Sequence, residues 1–234
     1  MLGSLPVVER IAENVQRVRE RIAGALARAG RTEAVTVVAV TKTFGPEVVD
    51  AVIAAGINDI GENRVQEFLA KSDRVTQPCR WHLVGPLQRN KATKVIGRFQ
   101  LLHAIDGVRV AEALDRLGRE RDERTRVLLE VNTSGESSKH GVDPDDAPAV
   151  AAAMGALPGV ALAGLMTMGP ASVDPAHTRR CFRLLARLRE RLNAETGLEL
   201  AELSMGMSAD FETAIEEGAT IVRLGRIITG ERPF

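Results

Sequence analysis

Lys42 closes the apolar run "VVAVTK" (37–42), which places a primary amine where a buried strand should end. Partial desolvation lowers an ammonium pKa from about 10.4, and the neutral amine so released condenses with an aldehyde or ketone. A plainer reading competes: the stem lies along apolar surface and the charge stays wet. Two classes of carbonyl compound suit such an amine, sugar phosphates and pyridoxal phosphate, and both require an anion cradle. Candidates for the cradle are "SMGMSAD" (204–210), with Gly206 and with Ser208 as a predicted helix N-cap, and "VRLGRIITGER" (222–232), with Gly225 and Arg226. Free N–H groups and the positive dipole end at a helix N-terminus attract anions.

Other residue types offer less. His82, His103, His140 and His177 never fall within metal-ligand spacing of one another, and Cys79 and Cys181 lie far apart without a CxxC, so no metal is predicted. Arg89, Lys91, Lys94 and Arg98 form a basic run, but Lys plus Arg (31) equals Asp plus Glu (31), and one Trp, six Phe and no Tyr give no stacking platform. Nucleic acid is therefore not an expected partner, and the run reads as a solvated helix face. The chain contains neither an N-terminal apolar leader segment nor an 18-residue apolar stretch, which predicts a cytoplasmic location without membrane contact.

These residues need a scaffold that brings strand ends together. An amphipathic segment with Val8, Ile11, Val15, Val18, Ile22 and Leu26 on one stripe predicts an N-terminal helix capped by Gly30. Strand candidates then recur at 34–42, 58–63, 80–85, 99–106, 125–134, 160–168, 199–206 and 220–225. Helical patterns separate them, at 46–56, 65–75, 90–97, 108–122, 144–157, 176–197 and 209–219. Eight strands alternating with helices predict an α/β fold, a closed (β/α)8 TIM barrel with an extra N-terminal helix, over an open doubly wound sheet that would carry GxGxxG after its first strand. The Gly/Ser/Pro-rich stretches 132–146 and 166–175 become βα loops. In such a barrel the site lies where strands end: at Lys42, Glu62 and Asn63, His82 and Gly85, Asp106, Asn132 and Ser134, Thr167, Ser204 to Ser208, and Arg223 to Arg226. Met166, Met168, Met205 and Met207 are expected to pack the mouth, and Cys181 to pack the core with Phe182, Leu185, Leu188 and Leu192.

Over nearly its whole length the chain resembles the pyridoxal phosphate homeostasis proteins, the YggS/PROSC family, which are similar to the barrel domain of alanine racemase. The resemblance rests on "AVTKT" (39–43), "GENRVQE" (61–67), "WHLVGPLQRNK" (81–91), "GLM" (164–166), "LSMGMSAD" (203–210) and "VRLG" (222–225). It implies one pyridoxal 5'-phosphate-binding barrel over 1–234, with Lys42 as the Schiff-base residue and Asn63 and Met207 lining the ring. Ser208 with the loop after Gly225 would hold the phosphate, and Arg223 would face the pyridine nitrogen.

The resemblance also implies a carrier or buffer of the cofactor, with pyridoxal phosphate-dependent apoenzymes as transient recipients, and the lack of a second domain favours a monomer. An arginine opposite the pyridine nitrogen is never an acceptor, leaves that nitrogen unprotonated and weakens the ring as an electron sink. Racemisation needs an acid/base group on each face of the carbon, and the tyrosine that alanine racemases use has no counterpart in a chain without tyrosine. An amino-acid racemase or another Schiff-base lysine enzyme stays as the alternative. The chain departs from the family pattern at Arg226, where a small hydroxyl residue is usual, at Thr229 for Phe, at Leu83 for Phe or Met, and at Phe44 for a lysine. Lys139 matches a lysine common in its loop.

Overall fold

The structure, a computed structural model, describes residues 7–136, 139–170 and 174–230. Parts of the expected fifth- and sixth-strand loops, Ser137, Ser138 and 171–173, lie outside the described residues. The strands are β1 (Thr36–Val40), β2 (Asp59–Glu62), β3 (Arg80–Pro86), β4 (Leu101–Ile105), β5 (Thr125–Glu130), β6 (Val160–Met166), β7 (Glu202–Ser204) and β8 (Ile221–Leu224). All pair in parallel in chain order, and β8 returns to β1, so the sheet closes on itself as the alternation predicts. The helices are α1 (Val7–Arg28), α2 (Pro46–Ala54), α3 (Val65–Lys71), α4 (Val108–Arg121), α5 (Ala147–Gly155), α6 (Pro175–Thr196), α7 (Phe211–Glu216) and α8 (Arg226–Thr229).

α1 buries Ile11, Val15, Val18 and Ile22, each contributing up to about 1.5–3 kcal/mol of hydrophobic free energy. Gly30 ends it at φ 63, and the bonds Gly30 N–H to Ala27 O and Arg31 N–H to Leu26 O complete a Schellman motif. Val8, expected on the buried stripe, is instead exposed in the first turn of the helix. Cys181, Phe182, Leu185, Leu188 and Leu192 are buried along α6 as their spacing predicts.

Three local expectations are corrected. The crossover expected as a helix over 90–97 is a 3₁₀ helix, Arg89–Lys94. Its buried Ala92 and Val95 are three residues apart, the 3₁₀ repeat, and Gly97 at φ 70 ends the segment. The seventh crossover helix begins at Phe211 rather than 209, after a turn over 208–210, so Asp210 and not Ser208 occupies the N-cap position. The stretch after β8, read as a loop, contains the short α8, whose Ile228 and Thr229 N–H groups donate to Gly225 O.

Strand alternation sorts the side chains into two layers. One set packs between sheet and helices. The other fills the barrel, with Val38, Val40, Val84, Leu101, Leu128, Met166 and Ile221 in a separate apolar cluster. Gly61 belongs to the inward set, and a Cβ there would come within 2.8 Å of Val38 Cγ1. By the same parity His82, His103, Glu130, Ser204 and Arg223 also face inward, and all are buried. Single strands therefore turn both kinds inward, Val84 with His82 on β3, Leu101 with His103 on β4, Leu128 with Glu130 on β5 and Ile221 with Arg223 on β8.

Candidate functional site

Lys42 lies two residues beyond the last residue of β1 and continues the inward alternation of Val38 and Val40. It is half-buried, and no hydrogen bond or ion pair engages its ammonium among the described residues. The chain is tightly fixed beside it. Thr41 is fully buried and its carbonyl accepts from Phe44 N (3.1 Å) and from Lys71 Nζ (3.0 Å). Thr43 holds φ 71, a left-handed conformation that costs a β-branched residue on the order of 1–3 kcal/mol.

Lys71 also meets Glu62 Oε1 at 2.7 Å, which accepts from Thr41 Oγ1 at 2.6 Å. Glu62 is thus on the helix side of β2, beneath α3, and does not belong to the rim where its place at a strand end suggested. Burial pushes its carboxyl up, against the hydrogen bonds from Lys71 and Thr41. The buried pair clamps the backbone immediately before Lys42.

Asn63, the next residue, is half-buried at the mouth. Gly85 of β3 makes that possible: a Cβ there would stand 2.3 Å from Asn63 O. The glycine of "WHLVGP" and the asparagine of "GEN" are two halves of one backbone contact.

The β7–α7 and β8–α8 loops meet each other at the same end of the barrel. Gly206 takes φ 93, and its carbonyl accepts from Arg223 N at 3.0 Å. Asp210 Oδ1 accepts from Met207 N at 2.6 Å, closing the turn. Ser208 Oγ faces Ile227 N at 3.5 Å, which joins the two loops. Among the described residues the N–H groups of Ser208 and Ala209 donate to no protein acceptor. Met207 and Gly225 are half-buried there, and Arg226 opens α8 as an exposed residue. Lys42, Asn63, Met207, Ser208, Gly225 and Arg226 thus all follow strand ends of one barrel face.

Arg223 lies deeper, 4% exposed. Its Nη1 donates to Ser204 Oγ (2.7 Å), and its Nη2 to Thr167 O (3.0 Å), with Met168 Sδ at 3.3 Å. Among the described residues it forms no salt bridge, the ordinary role of an arginine at a strand end. Burial pushes its guanidinium down to about 10, and the charges of Glu130 and Asp210 oppose this, so it stays protonated at neutral pH. No motif in the sequence marks Glu130, though its inward parity with Leu128 on β5 is readable there. Burial raises its carboxyl against the pull of Arg223, and its buried Oε2 has no hydrogen-bond partner among the described residues.

The remaining strand-end residues do other work. His82, expected at the rim, sits within β3 and contacts Asp59 and His103. Asn132 organises its own loop, donating to Glu136 O and accepting from Ser134. Asp106 is exposed. Met166 lies in the barrel interior, but Met205 packs in the layer between sheet and helices, opposite to expectation, because it alternates with inward Ser204. Lys139 donates to Gly169 O and lies 3.6 Å from Glu136, so it ties two loops together.

Residues 8–233 match the family described as alanine racemase, N-terminal domain. A protein of Aquifex aeolicus named pyridoxal phosphate homeostasis protein is 41% identical, the match covering 95% of this chain and 98% of that one. A protein of the same name from Pseudomonas aeruginosa is 42% identical over 96% of each chain. Among solved structures, PipY of Synechococcus elongatus, described with PLP bound, superposes with a TM-score of 0.83 at 32% identity, covering 94% of this chain and all (100%) of that one.

Proposed function

The chain belongs to the pyridoxal phosphate homeostasis protein family, and from that premise we propose that it binds pyridoxal 5'-phosphate at the C-terminal mouth of the barrel, on Lys42. The observation that carries this is the Lys42 amine, without a partner among the described residues and held by a strained and clamped loop, on the same barrel face as N–H groups of Ser208 and Ala209 that find no acceptor among the described residues. The residues present suit the group. Lys42 supplies the nucleophile, and Ser208 with the start of α8 supplies donors for a phosphate. Asn63 and Met207 flank the ring, and Arg226, exposed beside the same loop, adds a cation at its edge.

When bound, the cofactor supplies an aldehyde to the amine and a pyridine ring able to accept electron density. Arg223 restrains that second property. Its guanidinium only donates and keeps its proton, so it offers a hydrogen bond to the ring nitrogen without protonating it. With a weakened sink and no tyrosine in the chain, the protein acts as a carrier and buffer, not as a racemase, and passes the cofactor to pyridoxal phosphate-dependent apoenzymes.

We further propose a cytoplasmic monomer, supported by two unbridged cysteines and by the scarcity of exposed large apolar side chains among the described residues; sedimentation would give a single 25.2 kDa species. No helix is long and apolar enough to cross a membrane among the described residues. The carrier reading is tested by mixing the loaded protein with each common amino acid and following product chirality. No turnover is expected. Turnover that disappears in Lys42→Ala would establish the enzyme reading instead.

A further inference from the structure

A guanidinium has donors only, so the two hydrogen bonds of Arg223 fix the direction of everything beneath it. Ser204 Oγ accepts from Arg223 at 2.7 Å. Ser204 is fully buried, and the acceptor in reach of its single hydrogen is His103 Nδ1, at 2.8 Å. If Ser204 donates there, the proton of His103 must sit on Nε2, which faces His82 Nδ1 at 3.0 Å. His82 then accepts on Nδ1 and donates from Nε2 to Asp59 Oδ1, at 2.9 Å. Asp59 ends the series, holding the Arg80 guanidinium through Nε (2.7 Å) and Nη2 (2.5 Å).

The opposite direction fails on the same geometry. Among the described residues it would leave the Ser204 hydroxyl without an acceptor, and it would make His82 either a buried cation or a ring turning its lone pair toward a carboxylate. Burial, with the nearby His82 and Arg223, also holds His103 well below the usual imidazole range.

We infer that Arg223, Ser204, His103, His82 and Asp59 form a one-directional hydrogen-bond relay through the barrel, and that His103, His82 and Asp59 are positioning residues for the Arg223 contact with the cofactor ring. The inference about the ring rests on the proposed binding mode; the direction of the relay does not. Asp59 and Arg80 begin β2 and β3, whereas Ser204 ends β7, so the relay joins opposite ends of the barrel. Its far end borders a cavity of about 370 Å³ beside α1, which Arg19 and Asn58 also line. An ordered column of this kind, in which neutral Ser204, His103 and His82 separate the Asp59 carboxylate from the guanidinium, presents Arg223 to the mouth in one orientation without a carboxylate in direct contact with it.

The test is nitrogen-15 NMR of the cofactor-free protein labelled in histidine, at neutral pH, combined with cofactor titration of two variants. Both buried rings should show the neutral Nε2–H form. His103→Leu removes the acceptor for Ser204 and should weaken cofactor retention roughly tenfold or more and shift the visible absorption of the bound form. His103→Asn restores an acceptor near the Nδ1 position and should recover much of both. A proton on Nδ1 of either ring, or an imidazolium, overturns the relay, as does a His103→Leu variant with wild-type spectrum and affinity. If His103→Leu does not fold, the wild-type nitrogen signals decide alone. Wild-type protein that captures no cofactor would refute the binding mode, and the nitrogen signals of the cofactor-free protein would still decide the direction of the relay.

Discussion

At Asp59 burial pushes the carboxyl up, but the hydrogen bonds from His82 and Arg80 outweigh it and bring it down to about 2, from 3.8. A depressed carboxyl stabilises the fold above its unfolded value, and the contribution is lost as pH falls from about 3.8 through about 2. The shift corresponds to roughly 2 kcal/mol. Urea unfolding between about pH 5 and about pH 2 should therefore show a steeper loss of stability in wild type than in Asp59→Asn; parallel curves would contradict this. At the mouth, Ser208→Ala should weaken cofactor binding by ~1.5–3 kcal/mol, read by titration, and leave folding intact. Wild-type affinity would remove the β7–α7 loop from the phosphate site. Lys42, Ser208 and Arg223 were legible because each stands at or just past a strand end, a position that sequence reports well. The meeting of His82, His103 and Asp59 was not, since it depends on register between strands more than twenty residues apart.

Two elements hold Asn63 in place, and one glycine sets their separation. A Cβ at Gly85 would meet Asn63 O at 2.3 Å and Asn63 C at 3.1 Å, both backbone atoms that cannot swing aside. Gly85→Ala should destabilise the protein by about 1–3 kcal/mol and lower cofactor affinity by displacing Asn63, measurable by thermal unfolding and titration. An unperturbed variant would show that β3 does not position the site. The strands themselves were plain in the sequence, because parallel strands covered on both faces read as continuous apolar runs. The 3₁₀ crossover and α8 were not, since segments of six and four residues carry too little periodicity to separate from loops. The N-cap moved from Ser208 to Asp210 for one local and one tertiary reason: the Asp210 carboxylate closes its own turn by accepting from Met207 N, and Ser208 joins the neighbouring loop through Ile227 N.

Across the whole molecule, a closed parallel barrel gathers side chains distant in sequence onto one rim and sets a polar column among apolar side chains of the same strands. The zero net charge, legible from composition, provides no broad field for a polyanion, in keeping with a small-molecule site. What composition could not reveal is that the barrel interior carries a buried arginine that donates to the uncharged Ser204 hydroxyl and Thr167 carbonyl. The proposed binding mode turns on a linkage at Lys42. Borohydride reduction of the protein mixed with pyridoxal phosphate, followed by peptide mass spectrometry, should place a single phosphopyridoxyl group on Lys42 and none in Lys42→Ala. Modification at another lysine, or no stable adduct at all, would contradict it.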